Sequence, residues 1–132
     1  YQQLKIIKKL ASDLDFPIEI IPCPIVREKD GLALSSRNSY LKKIERDYAN
    51  LIFKSLCSAK KLIKNNGIDS VNRIESFIRQ CLIKIPNSRV EYISICDNET
   101  LEEYKSTIKF TARILIAIYV GKTRLIDNIL VK

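Results

Sequence analysis

The 132-residue sequence predicts an α/β chain in which the tail of a helix–strand unit leads into a small α+β domain, two helices laid against a three-stranded antiparallel sheet. Three observations predict it. A helix-spaced segment at 1–12 is followed by a short β-branched run at 18–21, the order found at the end of an α/β unit. Two stretches, 44–65 and 70–84, repeat apolar residues at steps of three and four, the period of a helix with one buried face. Three apolar runs rich in β-branched residues then close the chain.

Leu4, Ile7, Leu10 and Ala11 mark the first helical stripe, with Lys5, Lys8 and Lys9 on the wet side. Asp13-Leu14-Asp15-Phe16-Pro17 breaks that helix, and Ile18-Glu19-Ile20-Ile21 reads as a buried strand. Pro22-Cys23-Pro24 ends it, because proline cannot continue a central ladder, and a domain boundary is placed near Pro24. After a polar loop at 27–38, one long helix is expected over 44–65. Its stripe is Ile44, Tyr48, Leu51, Ile52, Leu56, Ala59, Leu62 and Ile63, and Asn65-Asn66-Gly67 stops it. The next helix, 70–84, turns Val71, Ile74, Phe77, Ile78, Cys81 and Leu82 inward. Strands are expected at 90–96, 111–120 and 124–131, the last two joined as a hairpin through Gly121-Lys122-Thr123. The polar stretch 97–109 has room for one helical turn.

Composition narrows the chemistry. With no histidine there is no Ser-His-Asp triad, no Cys-His pair and no His-ligated metal, and no metal site is expected. The chain has no methionine and begins at Tyr1, so it is expected to be an excerpt of a longer protein. Hydrophobic residues make up 46% and charged residues 29%, a globular balance. A chain of 15.2 kDa should fold to about 7,100 Å² of surface. The net charge of +8 comes largely from scattered lysines, read as solvated surface. Tyr40, Tyr48, Tyr92, Tyr104 and Tyr119 do not cluster as a base-stacking platform would. A basic nucleic-acid-binding module and a non-catalytic interaction domain with a free sheet edge stand as the alternative readings. Cys23, Cys57, Cys81 and Cys96 form no CxxC pair and read as buried free thiols of a reducing compartment. No run of 18 apolar residues is present to span a membrane.

The 27–38 loop is the most unusual stretch. Ser35 and Ser36 can donate to phosphate oxygens, Arg37 can add a charge-assisted contact, and turn N–H groups can form an anion nest. Ser-Ser-Arg-Asn before a helix also has a bland reading, a turn with an N-cap.

Val26-Arg27-Glu28-Lys29-Asp30-Gly31-Leu32-Ala33-Leu34-Ser35-Ser36-Arg37-Asn38-Ser39-Tyr40-Leu41 closely resembles the signature loop of the pantoate–β-alanine ligases. Tyr1-Gln2-Gln3-Leu4, Val90-Glu91-Tyr92-Ile93 and Gly121-Lys122-Thr123-Arg124-Leu125-Ile126-Asp127-Asn128-Ile129 resemble three further segments of that family, in the same order. The resemblance runs essentially end to end.

It implies a fold that is α/β overall. Residues 1–24 would be the end of a Rossmann-like nucleotidyltransferase domain binding ATP and pantoate, and residues 25–132 a lid-like C-terminal α+β domain. It implies an AMP-forming ligase of pantothenate biosynthesis. ATP activates (R)-pantoate as a pantoyl adenylate, β-alanine captures the acyl group, and AMP and pyrophosphate leave, with Mg2+ accompanying ATP. By the same resemblance Gln3 would bind pantoate. The backbone of Val26 would meet adenine, and Leu34, Ser35, Ser36 and Arg37 would form the ATP-phosphate loop, comparable to the KMSKS loop of class I aminoacyl-tRNA synthetases. Many family members carry methionine where Leu34 stands, a swap of similar volume. Asp127 and Asn128 read as structural, and Arg113 and Arg124 as pairing or surface residues. The family's HIGH-like histidine motif falls outside this sequence, so no catalytic residue is assigned, and the chain alone is expected to be inactive. The full protein is expected to be a cytoplasmic homodimer that binds neither nucleic acid nor membrane.

Overall fold

A computed structural model describes residues 1–109 and 111–131. Helix α1 is Gln2–Asp13. A 3-10 turn at Ser36–Tyr40 leads to α2, Lys43–Ala49, α3, Leu51–Asn66, and α4, Val71–Leu82. Strands β1 (Ser88–Asp97), β2 (Ala112–Val120) and β3 (Thr123–Leu130) form one antiparallel sheet in the order β1-β2-β3. The α+β architecture expected from the sequence is therefore present.

Helices α3 and α4 cover one face of this sheet, α3 over β3 and α4 over β1. Ile52, Leu56, Ile74, Ile78 and Leu82 meet Ile114, Ile116, Ile118 and Val120 there, all fully buried. Each such side chain contributes about 1.5–3 kcal/mol of transfer free energy. Gly67 ends α3 in the left-handed region at φ 63, and the Ile68 N–H reaches back to the Leu62 carbonyl, a bond that satisfies an orphan carbonyl of the last turn. Ser70 caps α4 by accepting from the Arg73 N–H. Gly121, at φ 58, occupies the two-residue turn between Val120 and its partner Thr123, in the first central position that a type II′ turn reserves for glycine.

Strand β1 carries a bulge. Val90 pairs with Ile118 and Tyr92 with Ala117, so two successive residues of β2 oppose residues two apart in β1, and Glu91 is extra. Cross-strand partners share a face. The face away from the helices therefore carries the rows Tyr92–Ala117–Ile126, Ser94–Leu115–Asn128 and Cys96–Arg113–Leu130.

The structure corrects several expectations. The single helix at 44–65 is two helices meeting at Asn50, a residue of low helix propensity, and Ile44 and Tyr48 are exposed because α2 does not lie on the sheet. Residues 18–21 form no strand: Ile18 and Ile21 are exposed, since no neighbouring strand among the described residues offers a ladder. The polar stretch after β1 does hold one helical turn, closed by the Leu101 N–H on the Asp97 carbonyl at 3.1 Å and not continued, because Leu101 enters the left-handed region at φ 63. The Asp97 carboxylate accepts from the Glu99 and Thr100 N–H groups and so caps the start of that turn. Cys23 is exposed and only Cys96 is fully buried, with Cys57 and Cys81 between. The folded surface is 8573 Å², about a fifth above the size expectation. Leu14, Phe16, Ile18, Ile21, Ile25 and Val26, all exposed, contribute to that excess.

Candidate functional site

The 27–38 loop is a short hairpin closed from three sides. Its backbone is tied by Leu34 N–H to Val26 O at 2.9 Å, Glu28 N–H to Leu32 O at 2.8 Å, and Gly31 N–H to Glu28 O at 2.9 Å. Gly31 sits at φ 97, and a β-carbon there would lie 2.6 Å from the Phe53 ring, so both conformation and space demand glycine. Arg46 of α2 forks across the turn to Glu28 and Asp30, each at 2.6 Å. That guanidinium holds both carboxyls below their ordinary range. The Asn38 amide donates to the Glu28 carboxylate and to the Ala33 carbonyl. Both partners are acceptors, so the amide orientation is settled by chemistry.

Arg27 ties the loop to the sheet. Its guanidinium meets both Asp127 oxygens at 2.7 and 2.9 Å, donates to the Gly31 carbonyl at 3.0 Å, and stacks 3.7 Å from the Phe53 ring centroid. Between these fastenings, 34–37 is free to face a ligand. Leu34, Ser36 and Arg37 are exposed. The Ser35 hydroxyl accepts from the Arg37 N–H at 3.2 Å and caps the 3-10 turn. Arg37 makes no side-chain hydrogen bond or ion pair among the described residues, so its charge is uncommitted.

Helix α1 supplies the facing wall and is fastened to the sheet's open face. Tyr1 donates its hydroxyl to the Asn98 carbonyl, Lys5 pairs with Glu99, and Arg113 stacks 3.5 Å from the Tyr1 ring centroid. Arg113 also donates to Asn98 at 2.9 Å and Asn128 at 2.6 Å. Between α1, the loop and the sheet lies an open cleft of about 460 Å³. Gln3 lines one wall, Leu34, Ser35 and Arg37 another, and Tyr92, Leu115 and Ile126 the floor.

Four of the six residues singled out in the sequence, Gln3, Leu34, Ser35 and Arg37, thus share this cleft, while Val26 and Ser36 lie outside its lining. The Val26 carbonyl is taken by Leu34. The sequence reading missed Arg27, Arg46 and Asn38 as supports of the loop. One signal was present for Asp127: it falls in phase with the buried Leu125 and the half-buried Ile129 on β3, and a charge on an inward face needs a partner. Arg124 pairs with Glu91 at 2.6 Å. Among the described residues no cluster of three His, Cys, Asp or Glu side chains is placed to hold a metal, and no helix is long and apolar enough to cross a membrane.

The fold and the cleft define an α+β domain that presents a Ser-Ser-Arg loop toward a polar helix face. The sequence profile of the pantoate-beta-alanine ligases matches residues 1–130, and the chain belongs to that family. It is 50% identical over 127 residues to a pantothenate synthetase of Clostridium botulinum (strain Loch Maree / Type A3), covering 96% of this chain and 44% of that protein. It is 42% identical to the pantothenate synthetase of Caldicellulosiruptor bescii, covering 99% and 46%. The crystal structure of a pantothenate synthetase from Thermus thermophilus superposes with a TM-score of 0.89 at 37% identity, over 99% of this chain and 46% of that one. A pantoate-beta-alanine ligase from Francisella tularensis, complexed with beta-gamma ATP and beta-alanine, gives a TM-score of 0.63 at 30% identity, over 98% of this chain and 40% of that one. The chain thus spans under half the length of these relatives.

Proposed function

We propose that this chain is the C-terminal part of a pantothenate synthetase, the ATP-dependent ligase that joins (R)-pantoate to β-alanine. The observation that carries the reading is the convergence of Gln3 with Leu34, Ser35 and the uncommitted Arg37 on one cleft. In the overall reaction the pantoate carboxylate displaces pyrophosphate from the α-phosphorus of ATP. The β-alanine amine then attacks the acyl carbon and AMP departs. Neither step needs a protein nucleophile; both need positioning and neutralised charge. Ser35 and Arg37 suit phosphate oxygens, Ser36 joins them from the same turn, and the Val26 N–H is open to adenine. The Gln3 amide can bond a hydroxyl and a carboxylate at once. Mg2+ would arrive with ATP, held by phosphate oxygens and water.

Residues 1–24 belong, in this reading, to a Rossmann-like domain, and residues 25–132 to a lid. The exposed apolar stretch from Leu14 to Val26 supports it: such a surface calls for cover, and the relatives are more than twice as long as this chain. The full protein is read as a cytoplasmic homodimer. A nucleic-acid role has less support, because Arg27, Arg46, Arg79 and Arg124 are occupied by carboxylates. The test is AMP formation by the full-length protein. It should require ATP, pantoate and β-alanine together and collapse in Arg37→Ala; AMP release independent of pantoate would refute the reading.

A further inference from the structure

Arg27 and Asp127 stand 100 residues apart in the chain and form its least exposed ion pair among the described residues. The Asp127 side chain is 1% exposed and that of Arg27 19%. Asp127 pairs in register with the buried Ile116 on the helix-covered side of the sheet. A lone carboxylate there would be strongly unfavourable. Arg27 answers both of its oxygens, and the Asn128 N–H adds a third bond at 2.7 Å.

Three hydrogen bonds and one face of the Arg27 guanidinium are turned inward: two bonds to Asp127, one to the Gly31 carbonyl, and the face onto the Phe53 ring. Arg27 is therefore committed mainly to the fold, although it lies in the basic loop. Its backbone bridges to Ala33, the residue directly before Leu34. A continuous path thus runs from β3 through Asp127, Arg27 and Ala33 to 34–37. The bidentate fork fixes orientation as well as distance. The geometry points to Arg27 and Asp127 as a positioning pair: it locks the phosphate loop to the sheet as one body, so that sheet and loop move together and ATP meets Ser35 and Arg37 at a set place.

The inference rests on the reading of 34–37 as a phosphate loop. Its test uses the full-length protein carrying Asp127→Asn, which keeps shape but loses the ion pair, and separately Arg27→Lys, which keeps charge but loses the fork and the stacking. In either variant the KM for ATP should rise about tenfold or more, the KM values for pantoate and β-alanine should move less than about twofold, and amide exchange at 34–38 should quicken without nucleotide while α4 is unchanged. If one variant does not fold, the other decides. A lowered Tm with an unaltered KM for ATP and unaltered exchange would assign the pair to stability alone and overturn the inference. So would an equal rise in all three KM values. A parent enzyme indifferent to Arg37→Ala would remove the phosphate-loop reading itself, a failure visible before either positioning variant is made.

Discussion

The carboxylate of Glu45 lies 2.8 Å from the point that a β-carbon on Gly121 would occupy. The two residues come from the start of α2 and the tip of the β2–β3 hairpin. Glu45 cannot swing aside freely: one oxygen accepts from the Lys42 N–H at 2.9 Å and the other from the Asn87 amide at 3.0 Å. The Gly121 N–H itself bonds the Asn87 carbonyl. Gly121→Ala is expected to lower stability by about 1–3 kcal/mol, through the left-handed φ and the blocked approach together. Urea unfolding would measure it, and an unchanged midpoint would contradict the geometry.

Arg46 gives a pH prediction. Its hydrogen bonds hold the Glu28 and Asp30 carboxyls below their ordinary range, and theirs raise Arg46 itself further. Groups with depressed folded pKa values stabilise the fold above their unfolded pKa, near 4, and lose that contribution as pH falls through the lower folded values. Arg46→Met should therefore lower the urea midpoint at pH 7, and the gap to the parent should shrink below about pH 4. A gap independent of pH would show that Arg46 acts through packing alone.

Two neighbouring isoleucines test the burial pattern of α4. Ile78 is fully buried against the sheet, whereas Ile83, just past the helix end, is 67% exposed. Ile78→Ala should lose about 2–5 kcal/mol and Ile83→Ala less than about 0.5 kcal/mol, both read by thermal or chemical unfolding of the same preparation.

The cleft separates the two loop serines. Ser35 lines it and Ser36 does not. In the full-length protein Arg37→Ala should weaken ATP use by roughly 10- to 100-fold in kcat/KM, the range of a charge-assisted hydrogen bond. Ser35→Ala should exceed Ser36→Ala in effect. Equal effects would mean that ATP turns the loop so that both hydroxyls face it.

Much of the fold was legible because its signals are local. The α4 stripe and the unbroken run in β2 repeat at periods that only one kind of element satisfies. The break at Asn50 was not legible, since apolar spacing continues through it and only the placement of α3 on the sheet ends it. The run at 18–21 misled for the opposite reason: its composition is that of a strand, but a strand exists only with a neighbour. In the site, the serines and Arg37 stood out by residue type. Arg46 and Asn38 did not, because their partners Glu28, Asp30 and Ala33 are brought close by folding of the loop and α2.

The bulge in β1 has a consequence for chain length. Val90 and Ile93 both turn toward the helices, as their partners Ile118 and Ile116 show, although three positions separate them. Glu91 is thus a spare residue, tied to Arg124 across the intervening strand. Its deletion would bring Val90 and Tyr92 into consecutive register with Ile118 and Ala117, leaving every inward side chain in phase. At this point the strand can be shortened by one residue without being rethreaded.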